Sequence, residues 1–121
     1  MENFNFEKLE VWQKSKSLVA EIYQITKQFP TSETYALANQ LQRAIVSVPS
    51  NIAEGNSRFS AKERLHFIEI AYGSLMESFC QISVALELGY INEDTMNNLR
   101  PKFQEIGKML SGLRKSLLSK V

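Results

Sequence analysis

A chain of 121 residues, 44% of them apolar and 22% charged, has the size and composition of one ordinary globular domain, which excludes an intrinsically disordered chain. Fourteen basic residues stand against thirteen acidic ones, and a net charge of +1 is far from the strong basicity of a dedicated polyanion binder. No apolar run approaches the roughly 20 residues of a membrane span, Glu2 and Glu7 stand where a secretory signal would carry cations, and the lone Cys80 can form no internal disulfide, so a cytoplasmic domain covering 1–121 is expected.

The first periodic segment covers about 6–28. Leu9, Trp12, Val19, Ile22 and Tyr23 form one apolar row, and Val11, Leu18 and Ile25 form a second at seven-residue spacing. Two rows exceed what one partner face in a monomeric bundle buries, so self-association is expected. Trp12, Tyr23, Tyr35 and Tyr72 supply the amphipathic aromatics that interfaces favour. Pro30 pushes Phe29 out of the α region and ends the helix, leaving Thr31 or Ser32 to cap the next one.

The second helix, about 33–54, carries Leu37, Leu41, Ala44, Ile45, Val48 and Ile52 on one side. A kink is predicted at Pro49, which removes the hydrogen bond to Ile45. Gly55-Asn56 reads as a left-handed stop, and Ser60 with Glu63 as a capping box opening a third helix over about 60–88. There Leu65, Ile68, Tyr72, Leu75, Phe79, Ile82 and Leu86 alternate three- and four-residue steps, the spacing of a bundle seam. Cys80, beside Phe79 and near Ile82, reads as a small buried hydrophobe.

Gly89 terminates the third helix, and Asn92 caps a fourth over about 93–119 with Glu93 and Asp94 in its first turn. Its seam is Met96, Leu99, Phe103, Ile106, Leu110, Leu113 and Leu117, and Pro101 is expected to kink the helix or delay its regular start. Short connections at Pro30, Gly55 and Gly89 bring each helix back alongside its predecessor. The expected fold is therefore all-α, an antiparallel up-down-up-down four-helix bundle.

Sites for chemistry are sparse. Glu63 and His66 supply one Glu-x-x-His pair, but His66 is the only histidine, which argues against a di-metal centre within one chain. Next to the seam residue Leu65, it reads as a half-exposed structural histidine. The glycines at 55, 73, 89, 107 and 112 are isolated, so no phosphate-cradling loop is present. No serine has a histidine placed beside it by a motif, and a thiolate at Cys80 would be disfavoured in an apolar seam. No enzymatic activity, metal or cofactor is expected.

Two polar features stand out. On the second helix Gln40, Arg43, Ser47, Ser50, Asn51, Glu54 and Arg58 recur every three or four residues, forming a stripe beside the apolar face. The stripe is either a hydrogen-bonded network at a helix or subunit interface, or a wet flank braced by an i,i+4 pair from Glu54 to Arg58. The second feature is electrostatic. Residues 100–121 hold Arg100, Lys102, Lys108, Arg114, Lys115 and Lys120 against Glu105 alone, a balance of +5, so the preceding residues carry −4. Such asymmetry permits contact with a polyanion and is also what a solvated basic face gives.

The stretch from Gln40 through Asn51-Ile52-Ala53-Glu54-Gly55 resembles the signature of the bacterial four-helix-bundle family encoded by intervening sequences in 23S ribosomal RNA genes. Further matches are Leu9-Glu10-Val11-Trp12-Gln13, Phe29-Pro30 with Glu33 and Tyr35, Ala71-Tyr72-Gly73-Ser74-Leu75 with Glu77, and Leu88-Gly89-Tyr90. The resemblance implies a homopentamer of bundles forming a short barrel with a central opening, in which Gln40, Arg43, Ser47, Asn51, Glu54 and Gly55 belong to the motif and interface. It also implies kinship with the accessory variability factor of diversity-generating retroelements, which looks like a basic pentameric partner of nucleic acid. The expected function is a non-enzymatic oligomeric scaffold engaging RNA or an RNA-associated protein through Lys108, Arg114, Lys115 and Lys120. The alternative is a protein-interaction bundle with no nucleic-acid partner.

Overall fold

The computed structural model describes residues 2–121, which form four α-helices and no strand. They are α1 (Glu10–Thr26), α2 (Leu37–Asn56), α3 (Ala61–Glu87) and α4 (Glu93–Leu118), with 3₁₀ turns at Asn5–Lys8 and Thr31–Glu33.

Local chemistry explains the boundaries. Residues 5–8 leave the α-helix for a 3₁₀ turn closed by the Phe4 N–H donating to Glu7 Oε1 at 2.9 Å, so α1 begins four residues later than its periodicity predicts. Neither Thr31 nor Ser32 caps α2. The Glu33 carboxylate does so from outside, accepting the Leu37 N–H at 3.3 Å. Ser60 Oγ accepts the Glu63 N–H at 3.1 Å and Asn92 Oδ1 the Thr95 N–H at 2.9 Å, the caps predicted for α3 and α4. Gly89, at φ +77°, closes α3 as a Schellman motif, with the Gly89 N–H on Leu86 O and the Tyr90 N–H on Ala85 O.

Gly55 is not a left-handed stop. It lies within α2, buried, and a Cβ there would stand 3.0 Å from Phe67 Cβ and 3.4 Å from Arg64 O. Its role is to let the start of α3 approach the α2 backbone. Both helix-interior prolines are accommodated without a break: α2 runs through Pro49, and α4 starts at Glu93 and runs through Pro101.

All four helices contribute to one hydrophobic cluster. On α2 Leu41, Ala44, Ile45, Val48 and Ile52 are buried as predicted, joined by Ala38, while Leu37 is only half-buried at the edge, and α4 buries Met96, Leu99, Phe103, Ile106 and Leu110. On α1 neither row is buried whole: Val11 and Leu18 of the second and Ile22 of the first face inward with Ser15 and Thr26, while Tyr23 is exposed. Leu9, Trp12, Val19 and Ile25 cover the edge of the cluster, and Phe6 packs edge-on against Trp12 at 5.0 Å. The apparent excess of apolar surface on α1 is thus largely absorbed within the chain.

The α3 seam is also shifted. Tyr72 is 38% exposed, and Ala71, Ser74, Ser78 and Ala85 are buried beside Ile68, Leu75 and Ile82. These small residues let α2 and α3 pack closely. Cys80 is exposed, outside the seam that the Phe79 and Ile82 neighbourhood implied. His66 is exposed rather than half-exposed.

Side-chain contacts set the helix pairings. Asn5 meets Asn56 and Gln42 meets Thr26; Ser47 meets Ser74 and Gly55 approaches Phe67. Phe79 meets Phe103, Gly107 approaches Leu75 and Tyr72, and Arg114 meets Glu69, while Lys14 pairs with Glu105 and Lys102 with Glu21.

Candidate nucleic-acid interface and assembly surface

The polar stripe of α2 divides into two kinds of residue. Ser47 and Asn51 turn toward α3: Ser47 Oγ lies 2.9 Å from Ser74 Oγ, and Asn51 Nδ2 donates to both Ser47 O and Ser47 Oγ at 2.8 Å. These are internal bonds between half-buried groups, which satisfy donors that would be costly unpaired. Gln40, Arg43, Ser50 and Glu54 are exposed. Glu54 pairs with Arg58 at 2.8 Å, one turn on. Ser47 and Asn51 thus belong to a hydrogen-bonded network between α2 and α3, while Glu54 sits in a solvent-facing i,i+4 pair. Arg43 makes no ion pair among the described residues, and with Gln40, Asn39, Ser74 and Glu77 it lines an open polar groove between α2 and α3. Gln81 stands near the same flank, with Nε2 donating to Glu77 Oε1 at 3.4 Å and a buried Oε1 without a partner.

On α3 the outward positions Ile70, Glu77 and Val84 recur every seven residues, and Ile70, Val84 and Leu88 are large exposed hydrophobics. This row lies on the same side of α3 as Ser74, because 70, 74, 77, 81, 84 and 88 follow three- and four-residue steps. Exposed aliphatics flanking a polar row are the makings of a contact surface.

The basic residues of the last helix are not equivalent. Arg114 Nε donates to Glu69 Oε2 at 3.0 Å, so its charge is shared with α3. Lys102 pairs with Glu21. Lys108, Lys115 and Lys120 are exposed and make no ion pair among the described residues. Arg100 lies over the Phe79 ring, 5.0 Å from its centroid.

The groove between α1 and α4 is lined by Glu10, Lys14, Glu21, Lys102 and Glu105, whose charges answer one another. The Lys14 ammonium is pushed above its ordinary value of 10.5, chiefly by its hydrogen bond to Glu105. At the other end of the fold the Tyr90 hydroxyl donates to Glu33 Oε2 at 2.8 Å, and this bond raises the phenol above its ordinary value of 10.0. Glu33 thus joins the start of α2 to the turn before α4. Among the described residues no group of three or more His, Cys, Asp or Glu could hold a metal ion, and no helix is long and apolar enough to cross a membrane.

Across α1 to α4 the chain matches one family model, that of the 23S rRNA-intervening sequence protein, over residues 7–112. The chain belongs to the 23S rRNA-intervening sequence protein family. No curated protein matches it. The family match covers the whole α2 stripe and extends to Lys108, and it stops before Arg114, Lys115 and Lys120. The contacts around Gly55 and Glu33 lie within the matched stretch, so the residues that close α2 onto its neighbours belong to the family's part of the chain.

Sequence reasoning missed a third groove, between α3 and α4. It is lined by Tyr72, Met76, Phe79, Arg100, Gln104 and Lys108, together with Phe103, Gly107 and Ser111. Its signal was available: Arg100, Gln104, Lys108, Ser111 and Lys115 repeat at three- and four-residue steps, the same test that revealed the α2 stripe.

Proposed function

We propose that this chain is a non-enzymatic scaffold, an antiparallel up-down-up-down bundle that assembles with copies of itself and engages RNA. The observation that carries the reading is the charge arrangement of α4 and the residues after it. Lys108, Lys115 and Lys120 stand exposed without acidic partners on a chain whose family is tied by its description to 23S ribosomal RNA. Unpaired surface cations release counterions when phosphates neutralise them, which supplies sequence-independent affinity. Arg114 contributes more weakly, because Glu69 competes for it.

The helix pairings support the bundle topology, since partners rise in number along one helix as they fall along the next. Assembly is assigned to the α2–α3 flank, where Gln40, Arg43 and Glu54 lie beside Ile70, Val84 and Leu88. A closed ring of copies, a pentamer in the family's implied form, presents one patch repeatedly to a long polyanion and multiplies a modest single-copy affinity.

The test is fluorescence anisotropy of the purified protein with structured 23S ribosomal RNA fragments at about 50 and 200 mM salt, alongside light scattering. Saturable binding that weakens steeply with salt, lost on charge reversal at Lys115 and Lys120, is the expected result. Absence of binding at the lower salt leaves a protein-interaction bundle, and a monomeric mass removes the ring.

A further inference from the structure

The geometry points to the α3–α4 groove as a site for single-stranded RNA, in which an unpaired base stacks on Tyr72 while Arg100 and Lys108 hold the flanking phosphates. This rests on the RNA-scaffold reading and gives it a location. Three observations carry it. The first is the aromatic floor. Tyr72 is 38% exposed and Met76 41%, although both lie on the helix with the chain's most regular seam. The Tyr72 ring lies beside α4, its Cε2 4.0 Å from where a Gly107 Cβ would stand, and part of the ring is open to solvent. An exposed aromatic ring is a platform on which a base can stack.

The second observation is charge. No carboxylate lines the groove, which has a volume of about 550 Å³, whereas Glu10, Glu21 and Glu105 line the α1–α4 groove. Arg100 and Lys108 are separated by two helical turns on the rim, roughly 12 Å along the axis, a span matching about two phosphates of an extended strand. Lys115 continues the same row two turns further on. Glu69, on α3, is already paired with Arg114.

The third observation is position. Tyr72 and Ser74 are two residues apart and point to nearly opposite sides of α3. The α3–α4 groove therefore stays open when the α2–α3 flank is covered by another copy. An unpaired strand is the occupant that fits, because a duplex keeps its base faces stacked on each other and offers no ring to Tyr72.

The experiment measures anisotropy of a labelled single-stranded 12-nucleotide RNA with the full chain, against the same sequence as a duplex, for Tyr72→Ala, Tyr72→Phe, Arg100→Gln, Lys108→Gln and Lys120→Gln. Tyr72→Ala is expected to weaken single-strand binding about 5- to 150-fold with an unchanged salt slope, and Tyr72→Phe to keep it. Arg100→Gln and Lys108→Gln are each expected to lower the slope of log affinity against log salt by about 0.7. Lys120→Gln, outside the groove, is expected to weaken single strand and duplex to the same degree. If wild-type protein binds RNA while the groove variants bind equally well, or if duplex binds as tightly as single strand, the groove assignment is overturned and the scaffold reading stands. If wild-type protein binds neither RNA, both fall. A fall in molar mass for Tyr72→Ala would make the groove a contact between copies and also overturn the assignment. Helical circular dichroism of each variant separates loss of a contact from loss of fold.

Discussion

Ser47 on α2 and Ser74 on α3 share an Oγ to Oγ hydrogen bond of 2.9 Å, and Asn51 closes it from one turn away. Small side chains make this possible, since a larger residue at either serine would separate two helices that otherwise pack at close range. The pair also divides the α2 stripe, because residues inward of it hold the chain together and residues outward of it are available to a partner.

That division predicts opposite phenotypes for two alanine variants. Asn51→Ala removes two internal hydrogen bonds and is expected to lower stability by about 1 kcal/mol, read as a lower urea midpoint with an unchanged m-value. Arg43→Ala removes an exposed group, leaves the midpoint unaltered, and lowers the molar mass in solution by light scattering. An unchanged mass for Arg43→Ala would remove Arg43 from the assembly surface.

Glycine positions give a second contrast. A methyl at Gly55 would stand 3.0 Å from Phe67 Cβ, so Gly55→Ala is expected to cost roughly 1–3 kcal/mol through overpacking despite better helix propensity. Gly73 lies in the exposed interior of α3 with open space around it, so Gly73→Ala is expected to stabilise by about 0.8–1 kcal/mol. Chemical denaturation of both variants checks the pair, and equal effects would contradict the close approach.

Alkaline pH is expected to weaken the fold through Tyr90 and Lys14. Both groups are raised above their ordinary values, Tyr90 chiefly by its bond to Glu33 and Lys14 chiefly by its bond to Glu105. A raised group stabilises fully below its unfolded value and loses that contribution as pH climbs through its folded value. Stability is therefore constant in this respect below the ordinary values of 10.0 and 10.5 and falls above them. Ultraviolet phenolate titration is expected to find one of the four tyrosines ionising later than the rest, and Tyr90→Phe to abolish that late phase.

Cys80 is exposed, so the folded protein is expected to react with a disulfide exchange reagent at the rate of a free surface thiol, without denaturant. Protection that disappears only on unfolding would mean that a neighbouring copy covers this side of α3.

Much of the architecture is encoded locally. The α2 and α4 cores, the Ser60 and Asn92 caps and the Gly89 closure each depend on residues within one or two turns of each other, so spacing and cap chemistry specify them in the sequence itself. Tertiary structure decided what periodicity leaves open. Spacing says which residues share a face, but the partner helices choose which part of a wide apolar face turns inward. That is why α1 buries Val11, Leu18 and Ile22 but exposes Tyr23, and why Tyr72 and Cys80 leave the α3 seam. Gly55 makes room for Phe67 Cβ from twelve positions away, and Glu33 meets Tyr90 across 57 residues of chain. The basic residues of α4 are equal in composition. Only the fold pairs Arg114 with Glu69, lays Arg100 over Phe79 and leaves Lys108 open on a groove.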